Sequence, residues 1–402
     1  MGLIGDMMQR IYGDGKSDLG KNLPDRWVKP IKLLNRRCPK RIIGLANDIR
    51  SDGDQQVQIA LEGQAEGFVR LFVRQSDIGD KAGQEANIRQ KMAEITGDEH
   101  WIAPRSVKTL ALEHRMSAIR MGFADMLTPL LASRRLATGA LDGSLNAITL
   151  FSESVWPLFQ HVTAGESYEV MTLLREKRSP LLSEECLRAA SKATPLSAVR
   201  HAVESTVSLI GNSPEASFLE VLRHVASREL FRIPRSLAGF LPDLEGVLDE
   251  DVEQNEDESD SDSQTKMLES IRAFLNSQFR QIDAYKEYIS DRGEFATHQG
   301  VKGLQFERVM VVMDDAEARG FLFSYEKLFG VKAKSTTDLK NIADGKETSD
   351  DRTRRLFYVT CTRAQKSLAL VAYTANPAEL AKSVIAKRWF REEEIVVPRQ
   401  RP

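Results

Sequence analysis

Apolar residues recur along the chain with two different periods, and the change of period marks out its organisation. From Pro39 the run KRIIGLANDIR places Ile42, Ile43, Ala46 and Ile49 three and four residues apart, which predicts an amphipathic helix. Gly67–Arg74 alternates and is rich in β-branched and aromatic residues, so a strand is expected there. A polar helix near Lys81–Ile95, a strand over Val107–Leu112 and a helix over Ala118–Leu131 follow. From Ala132 to Leu248 helical spacing takes over, as in Glu169–Glu176, Glu184–Lys192 and Phe218–Arg228, and a helical insertion of roughly a hundred residues is expected. The tract LDEDVEQNEDESDSDSQ is almost without apolar residues and reads as a disordered loop or linker. One long helix is expected from Lys266 to about Ser290. Strands then return at Glu294–Thr297, Arg308–Met313 and Ser367–Tyr373, with a helix over Asp351–Arg363. An α/β domain interrupted by a helical one accounts for this pattern with the fewest elements.

Composition narrows the class. A balance of 42% hydrophobic and 28% charged residues fits a globular protein with real cores. Apolar runs such as the five residues Val309–Met313 are far too short to span a bilayer. MGLIGDMM carries no basic region ahead of an apolar one, so no secretory signal is read, and Asp6 stands where a myristoylation site wants Ser or Thr. Cys38, Cys186 and Cys361 are too few and too scattered for a disulfide framework or a zinc cluster. A cytoplasmic protein without a membrane span or structural zinc is the expectation. The net charge of -2 hides a local asymmetry. Ten basic residues against three acidic ones lie between Lys16 and Arg50, whereas nine acidic residues crowd Asp249–Asp262. The first segment is suited to phosphates and the second repels them.

Four short segments carry candidate chemistry. Gly5-Asp6-Met7-Met8-Gln9-Arg10-Ile11-Tyr12-Gly13 follows what reads as the tail of a buried strand. Leu34-Asn35-Arg36-Arg37 leads into a helix. Thr297-His298-Gln299-Gly300-Val301-Lys302-Gly303-Leu304-Gln305-Phe306 connects two strands. Arg354-Arg355-Leu356-Phe357-Tyr358-Val359-Thr360-Cys361-Thr362-Arg363-Ala364 lies on a helix that ends before a strand. In this order and spacing they resemble motifs III, IV, V and VI of superfamily 1 DNA helicases of the UvrD/Rep type.

The resemblance implies a RecA-like parallel-sheet domain split by a mainly helical insertion. Residues 1–20 would be a remnant of a first RecA-like domain, and 21–131 the first part of the second. Residues 132–265 would be the insertion with its acidic tract, and 266–402 the rest of the second domain. It further implies ATP with Mg²⁺ as the nucleotide of the intact enzyme, and single-stranded DNA or DNA junctions as partners. By position, Arg37 and Arg363 match the motif IV and motif VI arginines that reach the γ-phosphate and neutralise charge in phosphoryl transfer. Gln9 matches the glutamine linking γ-phosphate to motif III, and Tyr12 the tyrosine beside the DNA track. Thr297 and Lys302 match contacts to the DNA backbone.

The sequence departs from the family at four positions: Arg36 stands for an adenine-stacking Tyr, Gln305 for a ribose-binding Glu, Gln299 for a His, and Asp14 for an aromatic. No Gly-x-x-x-x-Gly-Lys-Ser/Thr cradle is found. Gly15-Lys16-Ser17 has Arg10 where the first Gly belongs, and VMVVMDD, ending at Asp315, follows the motif V loop rather than forming a Walker B strand. The leading expectation is therefore the C-terminal half of a 3′–5′ helicase, truncated or split from its N-terminal motor domain and inactive without it; a separate polypeptide that supplies the Walker loop is a further possibility. The alternative is a non-catalytic DNA-binding or partner-docking module derived from one.

Overall fold

The computed structural model describes residues 5–13, 15, 24, 26–28, 30–184, 186, 194–241, 261–290, 293–320 and 322–397. Asp14, Lys16, residues 1–4 and 242–260, with most of the acidic tract, lie outside this set, as does most of the helix expected at Glu184–Lys192; the end of the tract, expected as loop, opens the helix Ser261–Leu275. Two compact units emerge, Met1–Ser117 with Gly293–Pro402, and Ala118–Arg292.

Unit one is built on strands β3 (Phe68–Gln75), β4 (Lys108–Ala111), β5 (Phe295–Thr297), β6 (Phe306–Met313), β7 (Ala364–Thr374) and β8 (Ile395–Val396). They form one six-stranded sheet in the order β5-β4-β6-β7-β3-β8, and every pair is parallel. Two further short strands, β1 (Leu34–Asn35) and β2 (Ile59–Ala60), form a separate parallel pair. The central strands are apolar on both faces, as a parallel sheet covered by helices requires, and Val309–Met313 and Leu368–Thr374 are buried throughout. Ser367 and Tyr373 share one face of β7. Ser367 Oγ accepts from Trp101 Nε1 at 2.9 Å, and Tyr373 donates to Glu85 of helix α2 (Lys81–Thr96). Helix α1 (Lys40–Ser51) packs against β3 and against the helix Ser349–Cys361, which a Thr348–Asp351 capping box starts. Ile42, Ile43, Ala46 and Ile49 are buried, as their spacing requires.

The starts of β6 and β7 are paired, Phe306 with Ala364. The loop leading into β6 and the helix end leading into β7 therefore meet at the starting ends of the two central strands, and the candidate site lies there.

Unit two is helical, with Ala124–Leu131, Arg134–Asp142, Ser167–Glu176, Thr194–Asn212 and Phe218–Ser227 among its elements. Its core centres on Phe151, Phe218, Phe274 and Phe279, whose rings meet mostly edge to face. The boundaries at 131 and 265 read from the sequence fall inside this unit. The reason is packing: Ala124–Leu131 lies against Ser261–Leu275, so both helices belong to the helical core.

Two expected helices are broken. The Ala118–Leu131 stretch stops at Gly122, which takes a left-handed φ of 79° after the helix His114–Met121. The Lys266–Ser290 stretch divides into Ser261–Leu275 and Gln281–Ile289. Between them Ser277 O accepts from Phe218 N at 3.0 Å and Phe279 N donates to Ala216 O at 2.8 Å, a bridge that a continuous helix would forbid.

The architecture is thus a RecA-like parallel sheet interrupted by a mainly helical insertion. Among the described residues no helix is long and apolar enough to cross a membrane. Among those residues, too, no cluster of three or more His, Cys, Asp or Glu is arranged to hold a metal ion.

Candidate functional site

Arg37 sits in the short turn between β1 and α1. Asn35 shapes that turn: its Oδ1 accepts from the Arg37 and Cys38 amides at 2.9 and 3.0 Å, an Asx turn that points the next side chains out of the strand. The half-buried Arg37 guanidinium donates to Thr362 O at 3.4 Å. Thr362 is the cap at the end of the helix Ser349–Cys361, and Arg363 follows it.

Arg363 is 2% exposed. It donates to Val359 O at 2.8 Å, to Leu304 O at 3.0 Å and to Thr362 Oγ1 at 3.1 Å. None of these acceptors is a carboxylate, and neither Arg37 nor Arg363 forms an ion pair among the described residues. Burial, and then repulsion by Arg37, hold the Arg363 pKa down to about 10. It remains protonated at neutral pH. Two neighbouring cations held by neutral oxygens, without an anion, form a site that an anion completes.

The N-terminal strip docks beside them. A 3₁₀ turn, Met7–Gln9, packs on the helix Ser349–Cys361 and is capped by Asp6, which accepts from Met8 N. Asp6 also takes both guanidinium arms of the buried Arg50 on α1, at 3.1 and 3.2 Å. Gln9 Nε2 donates to Asp6 at 3.1 Å. Further along, Arg355 Nε donates to Arg10 O at 2.6 Å, and Arg10 and Arg355 share Glu347. Tyr12 Oη donates to Gln299 O and Gln299 Nε2 returns a bond to Ile11 O, both at 3.1 Å. Lys302 Nζ lies 5.2 Å from the centre of the Tyr12 ring, and both side chains are exposed. The four segments singled out in the sequence thus assemble on one unit, with the loop Thr297–Phe306 touching both the strip and Arg363.

This chain is similar to the Gabija protein GajB of Bacillus cereus (strain HuB5-5). The two are 19% identical over 394 residues, which cover 92% of this chain and 53% of GajB. The chain therefore spans about half the length of this curated relative, and a match of that extent takes in both compact units. No family model matches.

In this distant relative of GajB the other predicted residues divide by exposure. Arg36 and Gln305 are exposed. Gln305 lies between Leu304 and Phe306, whose main chains both bond Arg363. Thr297 is half-buried and its Oγ1 accepts from Gly300 N at 3.1 Å, closing the turn of its own loop.

The basic segment does not present all its charge to solvent. Arg41 is buried in a forked pair with Glu394, at 2.6 and 2.7 Å, and Arg50 is buried between Asp6 and Asp54. Asp314 and Asp315, the carboxylates of VMVVMDD, have structural partners. Asp314 is fully buried against Lys81, while Asp315 accepts from Ser324 Oγ and from the Tyr325 and Glu326 amides. Cys38 and Cys361 are buried thiols. Burial pushes the first up to about 11 and raises the second as well, so both stay protonated thiols at neutral pH.

Sequence reasoning missed Arg50 and Gln58, which both donate to the hydroxyl of Tyr358 across 300 and more positions. It also left His298 without a partner. His298 turns inward, with Nε2 3.1 Å from Leu110 O and Nδ1 3.0 Å from Tyr325 Oη. Burial holds it neutral, with a pKa near 4, and the carbonyl beside Nε2 requires the proton there.

Proposed function

We propose that this chain supplies motifs III to VI of an ATP-dependent DNA helicase of the UvrD type. In this reading Arg37 and Arg363 face the γ-phosphate of a triphosphate seated on a Walker loop that these 402 residues do not contain. The carrying observation is the pair of guanidiniums gathered at Thr362 with no carboxylate between them. Positive charge held ready in a desolvated place stabilises charge that develops on a transferred phosphoryl group, and it needs no reorganisation when the reaction occurs. Gln9 reports the same phosphate to the strip, and the exposed Gln305 and Arg36 flank the nucleotide. Lys302 and Thr297 hold the DNA backbone, and Tyr12 lies beside the DNA track. Mg²⁺ would be held beside the Walker loop, since Asp314 and Asp315 are committed to structure.

The test is to mix the purified chain with a RecA-like polypeptide that carries the Gly-x-x-x-x-Gly-Lys-Ser/Thr loop and to measure DNA-stimulated ATP turnover. Turnover is expected only on mixing. Arg37→Ala or Arg363→Ala should then lower it by about 10³-fold, the scale of a lost arginine finger. ATP hydrolysis by the chain alone, or a mixed activity indifferent to both substitutions, overturns the reading. A DNA-binding module without a motor would instead bind single strands with steep salt dependence and no response to nucleotide.

A further inference from the structure

Between the strip and the Arg37 turn runs an unbroken line of polar side chains that the proposed chemistry does not itself require. Gln9 Nε2 donates to Asp6 Oδ2 at 3.1 Å, and Asp6 receives both arms of Arg50. Arg50 Nη1 donates to Tyr358 Oη at 2.8 Å. That same oxygen accepts from Gln58 Nε2 at 2.8 Å. Gln58 Oε1 accepts from Asn35 Nδ2, again at 2.8 Å, and Asn35 Oδ1 accepts the Arg37 and Cys38 amides.

We propose that Arg50, Tyr358 and Gln58 are positioning residues that hold the Arg37 turn in place and make that placement depend on Asp6. The inference rests on the reading of Arg37 as phosphate-facing, and it adds how the strip beside Gln9 governs that arginine.

Orientation is what the line transmits. An amide side chain has one donor end and one acceptor end, so each link dictates the next. With Arg50 donating to Tyr358, Gln58 directs its nitrogen at the same oxygen and is left with its carbonyl toward Asn35. Asn35 must answer with its nitrogen, which aims its own carbonyl at the two main-chain amides of the turn. Turning Gln58 over would set its nitrogen against that of Asn35, while the Tyr358 hydroxyl could donate to its carbonyl instead, so the Asn35 bond is the one that fixes its orientation. The backbone of Gln58 cannot easily drift, because Asn47 of α1 clamps it with a pair of bonds at 2.8 and 2.9 Å. At the other end Arg50 is 2% exposed and forks onto two carboxylates, Asp6 on the strip and Asp54 at the end of its own helix. Loss of Asp6 leaves Arg50 with Asp54 as its one carboxylate, beside Gln56 Oε1 at 3.2 Å, and frees the arm that meets Tyr358 to shift towards them. Buried polar networks of this kind settle into one arrangement when every member is satisfied.

The full chain carries its own reporter. Cys38 is fully buried in the Arg37 turn, and its thiol becomes reachable only when that turn opens. Cys361 is fully buried inside the neighbouring helix and reports wider unfolding. Labelling with iodoacetamide, read cysteine by cysteine by mass spectrometry, separates the two. Gln58→Leu and Tyr358→Phe are expected to speed labelling of Cys38 by about tenfold, the scale of one buried hydrogen bond, with Cys361 unchanged. Asp6→Asn should speed Cys38 several-fold although Asp6 does not touch the turn. The double variant of Asp6→Asn and Gln58→Leu should fall well short of the product of the single effects, because both cut one line.

Cys38 indifferent to Asp6→Asn, fully multiplicative effects, or Cys361 rising in step with Cys38 would each overturn the proposal. No nucleotide enters this measurement. A failure here is therefore separate from a failure of Arg37→Ala to lower ATP turnover.

Discussion

Arg50 and Arg363 are equally hidden, each 2% exposed, and lie on the same compact unit, yet their surroundings are opposite. Arg50 is encircled by Asp6, Asp54 and the Tyr358 hydroxyl. Burial disfavours its charge, but the Asp54 and Asp6 bonds outweigh burial and raise its pKa. Arg363 meets only carbonyl and hydroxyl oxygens, has Arg37 for a neighbour, and is lowered to about 10. Both are hydrogen-bonded, so burial and bond count do not tell them apart. The counter-ion does. A buried arginine with its anion built in is a structural rivet, whereas one without is strained electrostatically and is relieved by an anion from outside.

The sharpest way to break this contrast is to remove each guanidinium and compare. Arg50→Met should cost about 3–5 kcal/mol in denaturant unfolding, because it leaves carboxylates facing a partly buried gap. His298 supplies the next largest effect: like Arg363 it is a buried base without a carboxylate, but one that can release its proton. Its folded pKa near 4 lies below the ordinary 6.5, so the unfolded chain takes up the proton first as pH falls. Stability present above pH 6.5 should decline by about 3 kcal/mol as pH falls through this window towards 4, and His298→Gln should flatten that part of the profile. Arg363→Met comes third. It gives up hydrogen bonds but also removes an unpaired buried charge, so its cost should stay below about 2 kcal/mol, less than half that of Arg50→Met. Equal losses for the two arginines would erase the distinction drawn here.

The smallest effect belongs to the exposed cation Lys302, whose loss should leave folding unchanged. Lys302→Ala should lower the slope of log affinity for single-stranded DNA against log salt by about one. An unchanged slope would remove Lys302 from the DNA contacts.

Periodicity was enough to find five of the six strands of the large sheet and the helices Lys40–Ser51, Lys81–Thr96 and Ser349–Cys361, since strands such as Arg308–Met313 and helices such as the one carrying Ile42 and Ile49 declare the faces they bury. It failed where a distant segment competed for the backbone. The break before Gln281 exists because Ser277 and Phe279 bond residues 216–218, and nothing within a window of fifteen residues signals that. The candidate site shows the same division. Arg37, Arg363, Gln9 and Tyr12 were legible because each stands in a short contiguous motif. Arg41 and Arg50 read as surface charge because their partners, Glu394 and Asp6, lie hundreds or tens of residues away.

What the sequence determined by itself is local: which stretches turn, which extend, and which residue types stand together on one loop. Those follow from backbone sterics and side-chain spacing over a few residues. Only the tertiary structure decided which charges acquire counter-ions, which amides face one another, and that Asn35, Gln58 and Tyr358 form one line. Electrostatic and hydrogen-bond energies depend on distance in space and on exclusion of water, and the packed sheet sets both.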